Sequence, residues 1–279
     1  MNASPTPDRY ALVGFPVHHS RSPLIHGLFA RQTGQNLSYE LIEADPASFE
    51  TAVRGFGAAG GKGLNVTVPH KEAAFRLAQR TGPEAKVAGA ANTLTFDGGI
   101  RADNTDGVGF LRDLTVNLGA VIESRRVLVL GAGGAARGIL PPLLESRPRE
   151  LVVANRTLAR AAELRERFQA LGELRIVTFA ELAGAGAFDL VVNATSAGLR
   201  GETPPFPAEI VGRETFCYDL AYGRGDTPFV AWARRAGAER AVQGLGMLVE
   251  QAAESFLIWR GVRPETAPVI RQLSRDLGT

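Results

Sequence analysis

The chain has a single cysteine, Cys217, among its 279 residues. No internal disulfide can form, and no paired cysteines exist to hold a structural metal. Surplus charge is also scarce: 31 Lys and Arg face 29 Asp and Glu, a formal net charge of +2. The basic residues lie in both halves, mostly beside acidic ones, which argues against nucleic acid or an anionic membrane as partner. No uncharged apolar run reaches about 18 residues, the length needed to span a membrane. The opening MNASPTPDRY lacks the basic-then-apolar pattern of a secretory signal, so a cytoplasmic protein is expected. No H-E-x-x-H is present, and His18, His19 and His26 read as structural or surface residues. Internal repeats, low-complexity tracts and long polar linkers are absent.

What is there is an ordinary globular balance, 45% hydrophobic and 22% charged, in a chain long enough for two domains. Strand-like and helix-like stretches alternate along almost the whole length, which predicts an α/β fold with mainly parallel sheets. RYALVGFPV, LSYELIEA and GLNVTV read as strands, SPLIHGLFARQTG as a helix ending near Gly34, and PASFETAVRGFG as another helix. PHKEAAFRLAQ reads as a helix with Pro69 at its first position, where a missing N–H costs nothing. ANTLTFDGGIRADNT predicts a hairpin turning at Asp97-Gly98-Gly99, and the helix DGVGFLRDLTVNLG leads into a second region. There RRVLVLGAGGAARGILPPLLE reads as strand, glycine turn and helix, followed by the strand ELVVANRT and the helix LARAAELRERF. FDLVVNATSAG and FCYDLAY are two further strand-to-loop transitions. A helix from about Leu245 to Trp259 and a short one after Pro264 close the chain, and periodicity leaves open which domain they complete.

Several stretches point to chemistry. Gly131, Gly133, Gly134 and the two alanines that follow fit G-x-G-x-x-G/A between a strand and a helix, where N–H groups and the helix dipole can face a pyrophosphate. An NAD site usually has an acidic residue about 20 positions further on. Here Asn155 and Arg156 stand at the end of the next strand, with Arg160 a turn into the helix. Guanidinium groups pair with a 2′-phosphate that a carboxylate would repel, so NADP is favoured; the alternative is that both arginines are solvated surface cations. Ser20 and Ser22 precede a helix start, where two hydroxyls suit a small carboxylate, although Ser22 before Pro23 is equally an N-cap. Lys71 lies in the first turn of its helix, where the dipole favours anions. Asp106 reads locally as an N-cap, yet a carboxylate from Asp103 or Asp106 beside Lys71 would form an acid–base pair.

Together GFPVHHSRSPLIH, GLNVTVPHK, GAANT, NTDGVGF, VLGAGGAARG, NRTLAR, NATSAG, YDLAYGRGDTP and GLGMLVEQ resemble, in order and over nearly the whole chain, the NADP-dependent shikimate dehydrogenase family. The resemblance implies reversible reduction of 3-dehydroshikimate to shikimate by NADPH, an oxidoreductase step in aromatic amino acid biosynthesis. It implies that Lys71 and Asp106 are the catalytic pair and that Ser20 and Ser22 hold the substrate carboxylate. Asn65, Thr67, Asn92 and Gln251 would bond ring hydroxyls, with Tyr222 near the carboxylate end. Gly131, Gly133, Gly134, Ala135, Asn155, Arg156, Thr157, Arg160, Thr195 and Gly244 would bind NADP. Residues 1–106 and 244–279 would form the substrate domain and 107–243 a Rossmann-like dinucleotide domain, with the active site in the cleft between them. The partner is then a small-molecule substrate, with no metal, and the protein a monomer or homodimer. Departures from the family are Gly27, Leu199, and Gly223-Arg224 where Asn-Pro is common.

Overall fold

The computed structural model describes residues 6–195 and 206–278. The chain divides into two compact units, Met1–Gly109 with Val249–Val269, and Phe110–Leu248 with Ile270–Thr279.

In the first unit the strands are β1 (Asp8–Gly14), β2 (Leu37–Glu43), β3 (Gly63–Val66), β4 (Arg80–Thr81), β5 (Thr93–Phe96) and β6 (Ile100–Asp103). The helices are α1 (Ser22–Thr33), α2 (Phe49–Ala58), α3 (Lys71–Leu77), α4 (Pro83–Ala88) and α5 (Asp106–Arg112). The sheet runs β2-β1-β3-β5-β6-β4. It is mixed, not uniformly parallel: β5 is antiparallel to β3, and also to β6, to which it is joined by the expected hairpin at Gly98 and Gly99, which hold φ of 60° and 135°. Ala11, Val13, Phe49, Val53, Leu64, Val66 and Leu94 share one buried core. Helix α1 has Pro23 in its first turn and stops where Gly34 turns left-handed at φ 65°. Helix α3 begins at Lys71, two residues later than Pro69 suggested. Val68 precedes a proline and so disfavours helical backbone, and Thr67 N–H and Val68 O are tied to Val13 and Phe15 at the end of β1.

The second unit has β7 (Arg126–Leu130), α6 (Gly134–Glu145), β8 (Glu150–Ala154), α7 (Leu158–Phe168), β9 (Arg175–Val177), β10 (Leu190–Asn193), β11 (Phe216–Asp219), α8 (Pro228–Arg235) and β12 (Arg240–Gln243). All its strands are parallel, in the order β12-β11-β10-β7-β8-β9. That is the doubly wound arrangement, with its topological switch between β7 and β10. Val127 and Val129 point into one core and Leu128 and Leu130 into another, which is why the strand reads as an unbroken apolar run.

The last helices are α9 (Leu245–Arg260) and α10 (Ala267–Leu277). The expected split gave 244–279 whole to the first unit, whereas residues up to Leu248 and from Ile270 group with the second. Met247 joins the second unit's core, and Gly225 N–H donates to Leu277 O at 3.2 Å.

Candidate active site

Strand register decides which side chains of the first unit meet. Val13 on β1 lies opposite Val66 on β3, so their C-terminal ends place the segment holding Ser20 and Ser22 beside the segment leading to Lys71. The approach is close enough that a Cβ on Gly14 would collide with Thr67 Cγ2 and lie 2.9 Å from Val17 Cγ1. On the other side Asn65 opposes Thr93, and Thr93 opposes Asp103. That row brings Asn65, Asn92 and the start of α5 together.

Lys71 is the first residue of α3, and its Nζ donates to Asp106 Oδ2 at 2.6 Å. The side chains are 13% and 5% exposed. The helix dipole disfavours a cation here by about 0.3–1 kcal/mol, less than the roughly 3–5 kcal/mol lost on breaking a buried ion pair. Asp106 is the first residue of α5, not its cap: Asn104 Oδ1 accepts the Asp106 N–H at 3.0 Å, which leaves the Asp106 carboxylate for other partners. Its second oxygen accepts from Asn92 Nδ2 at 2.9 Å. Asp103 is spent on Arg101, at 2.9 Å. His70 escaped the sequence reading. It is buried, stacks on Phe49 with ring centroids 4.4 Å apart, bonds Ala44 O through Nε2 at 2.7 Å, and so fixes the residue before Lys71.

The remaining expected substrate residues form a hydrogen-bonded group. Asn92 Nδ2 also faces Thr105 Oγ1 at 2.9 Å and Gln251 Oε1 at 3.2 Å, and Asn92 Oδ1 accepts the Thr105 N–H at 2.8 Å. Asn65 is held by Tyr39, whose hydroxyl donates to Oδ1 at 2.7 Å, and by Ser255 Oγ at 3.0 Å from Nδ2. Burial raises the Tyr39 phenol well above its ordinary value, so it stays a donor. Ser22 is the first residue of α1, not its cap; Ser20 Oγ accepts the Ser22 N–H at 3.2 Å and donates to Ser22 Oγ at 3.1 Å. Thr67 is half-buried at the end of β3. His26 is buried and stacked on Tyr39, while His18 and His19 are exposed.

In the second unit the glycine turn has the predicted context. Gly131 follows β7 with φ 106°, and a Cβ there would lie 3.0 Å from the Ala194 carbonyl carbon and oxygen. Gly133 caps α6, which begins at Gly134 and Ala135. A cavity of about 400 Å³ is lined by Ala132, Gly133, Asn155, Arg156, Thr157 and Arg160. Arg156 and Arg160 are exposed and make no ion pair among the described residues. Glycine backbone, a helix N-terminus and two guanidinium groups fit a dinucleotide carrying an extra phosphate. Thr195 N–H and hydroxyl both donate to Asn193 Oδ1, at 3.1 and 2.7 Å. Gly244 leaves no space for a side chain, since a Cβ would meet Leu220 O at 2.7 Å. Tyr222 is half-buried on the loop after β11, and Arg224 is exposed. Asp219 was overlooked: buried, it accepts from Thr227 Oγ1 at 2.6 Å, Asn193 Nδ2 at 2.9 Å and Ala221 N–H at 3.1 Å, clasping the base of that loop. Burial raises its carboxyl above the usual range. Leu199 lies outside the described residues. Among those described, no cluster of three or more His, Cys, Asp or Glu is placed to hold a metal, and no helix is long and apolar enough to cross a membrane.

Residues 12–94 match the shikimate dehydrogenase substrate binding domain, 114–201 the shikimate / quinate 5-dehydrogenase family, and 244–273 the shikimate 5′-dehydrogenase C-terminal domain. A shikimate dehydrogenase (NADP(+)) of Alkalilimnicola ehrlichii is 58% identical over 267 residues, 95% of this chain and 98% of that protein. The protein of the same name in Aeromonas hydrophila is 53% identical, covering 98% and 99%. An Ael1 enzyme from Pseudomonas putida has a structure with TM-score 0.86 at 52% identity, over 95% of this chain and 98% of that one. The shikimate 5-dehydrogenase of Thermus thermophilus, solved with NADP(H) and shikimate, gives TM-score 0.85 at 34% identity, over 97% and 100%. With motifs, folds and likenesses in agreement over the same residues, the chain belongs to the shikimate dehydrogenase family.

Proposed function

We propose that this protein is an NADP-dependent shikimate dehydrogenase, reversibly converting 3-dehydroshikimate to shikimate. The observation that carries the reading is the ion pair of Lys71 and Asp106, enclosed among amides and hydroxyls that can bond a polyhydroxylated ring. NADP(H), when bound, supplies or accepts the hydride. Gly131, Gly133, Gly134 and Ala135 would hold its pyrophosphate, and Asn155, Arg156, Thr157 and Arg160 its 2′-phosphate, with Thr195 and Gly244 lining the rest of its site.

As the substrate carbonyl is reduced, negative charge gathers on its oxygen. The Lys71 ammonium would stabilise that charge and deliver the proton, and Asp106 would hold Nζ in place. Ser20 and Ser22 would receive the carboxylate, with Tyr222 assisting. Asn65, Thr67, Asn92 and Gln251 would bond the hydroxyls. The Asn92 amide is engaged with Asp106, Thr105 and Gln251, so a ligand must draw it partly away from Gln251, its longest contact. The protein is proposed to act in the cytoplasm as a monomer or homodimer. Absorbance at the NADPH band, after shikimate and NADP⁺ are added to purified protein, tests the reading, with NAD⁺ and quinate in parallel. Formation of NADPH from shikimate and NADP⁺ alone is the expected result. Binding of NADPH without turnover would overturn it.

A further inference from the structure

The direction of the hydrogen bonds around Asn65 is informative. Its Nδ2 has three acceptors in reach: Ser255 Oγ at 3.0 Å, Asn92 O at 3.1 Å and Thr93 Oγ1 at 3.3 Å. A backbone carbonyl only accepts, so Asn92 O identifies that end of the amide as nitrogen. Two N–H hydrogens shared among three acceptors leave none for a ligand. At the other end Tyr39 Oη–H donates to Oδ1 at 2.7 Å and takes one of its two lone pairs. Among the described residues no second donor completes a hydrogen bond to Oδ1, the ring nitrogens of buried His26 included, and a ligand hydroxyl can take that place.

Tyr39 is itself held. Its ring stacks on His26 with centroids 4.2 Å apart and planes 7° from parallel.

We propose that Tyr39 is a positioning residue that fixes the polarity of the Asn65 amide, making it an acceptor that reads one non-reacting ring hydroxyl as a donor. A group that only accepts, such as a carbonyl, an ether or fluorine, is then rejected at that ring position. The inference rests on the shikimate reading above and adds to it a residue and a rule of selectivity.

The test uses the intact enzyme and two shikimate analogues, each with one non-reacting hydroxyl replaced by fluorine. Wild-type protein is assayed first with shikimate itself; no turnover there removes the functional reading and this inference with it. Given turnover, one analogue is expected to show kcat/KM lower by about 10-fold or more, the effect of one unmade hydrogen bond. Equal kcat/KM for both analogues and shikimate overturns the polarity claim while leaving the function standing, and it needs no variant. Tyr39→Phe keeps the ring stack and removes the donor. It is expected to raise KM for shikimate about 10-fold, hold kcat and KM for NADP⁺ within about 2-fold, and cut the fluorine penalty to about 3-fold. An unchanged fluorine penalty in Tyr39→Phe, or a parallel decline of kcat and both KM values, overturns the role given to Tyr39.

Discussion

In the first unit the proposed substrate residues bond to one another and to their neighbours: Lys71 to Asp106, Asp106 to Asn92, Asn92 to Gln251, and Tyr39 to Asn65. In the second, Arg156 and Arg160 project into solvent beside a turn made largely of glycine backbone. A network of the first kind is preorganised, and the loss of one member leaves others misplaced. A cradle of the second kind consists of nearly independent parts. Substitutions in the two places should therefore differ in how effects combine as well as in size.

The largest effect is expected at Lys71. Lys71→Ala should lower kcat by about 10²-fold or more with little change in KM, the pattern of an interaction made mainly in the transition state. Steady-state rates close to wild type would dissolve the catalytic side of the comparison. Next comes Gly131→Ala, which forces a side chain into a left-handed backbone against Ala194, at a cost of about 1–3 kcal/mol. KM for NADP⁺ should rise roughly 10-fold or more while KM for shikimate stays near wild type; the reverse pattern would contradict the assignment of the turn. Arg156→Ala and Arg160→Ala should each raise KM for NADP⁺ by about 10-fold, leave NAD⁺ kinetics unaltered, and combine additively in the double variant. Strong coupling between them would show that the cradle is also a network.

The smallest expected effect concerns stability. Burial pushes His26 down to about 3 from an ordinary value of 6.5, so the unfolded chain binds a proton that the folded one refuses. Its contribution is intact above about 6.5 and is lost progressively as pH falls from there towards about 3. Urea unfolding of wild type and His26→Phe, at about pH 7 and about pH 5, should show the smaller loss in the variant. Equal losses would mean that His26 is not the group responsible.

Much of this was legible because the signals were local. The short apolar strands, the left-handed Gly34, the hairpin at Gly98-Gly99 and the glycine turn each depend on a few neighbouring residues. Short elements were not foreseen: β4 and β9, two and three residues long, carry no periodicity. Helix α8 does carry a local signal, Thr227 just before Pro228, whose hydroxyl accepts the Val230 N–H. Local rules failed at Ser22 and Asp106, where Ser20 and Asn104 accept the helix-start N–H groups instead. That Lys71 meets Asp106, or Tyr39 meets Asn65, depends on strand pairing over 35 and 26 positions of sequence, and no motif encodes it. Helix α6 runs through Pro141 and Pro142, because burial of Ile139, Leu140, Leu143 and Leu144 outweighs the propensity.

The tight meeting of β1 and β3 has a consequence for anyone who maps this enzyme by exchanging every residue and scoring growth. Gly14 offers no group for chemistry, yet any side chain there pushes Thr67, and behind it the chain that carries Lys71. On such a tolerance map Gly14 would look as indispensable as the lysine. Pairing Gly14→Ala with Thr67→Ser, which deletes the colliding methyl, should recover part of the lost activity, whereas no neighbour's change should recover Lys71→Ala. Rescue of that kind separates the enzyme's reagents from the spacing that holds them apart.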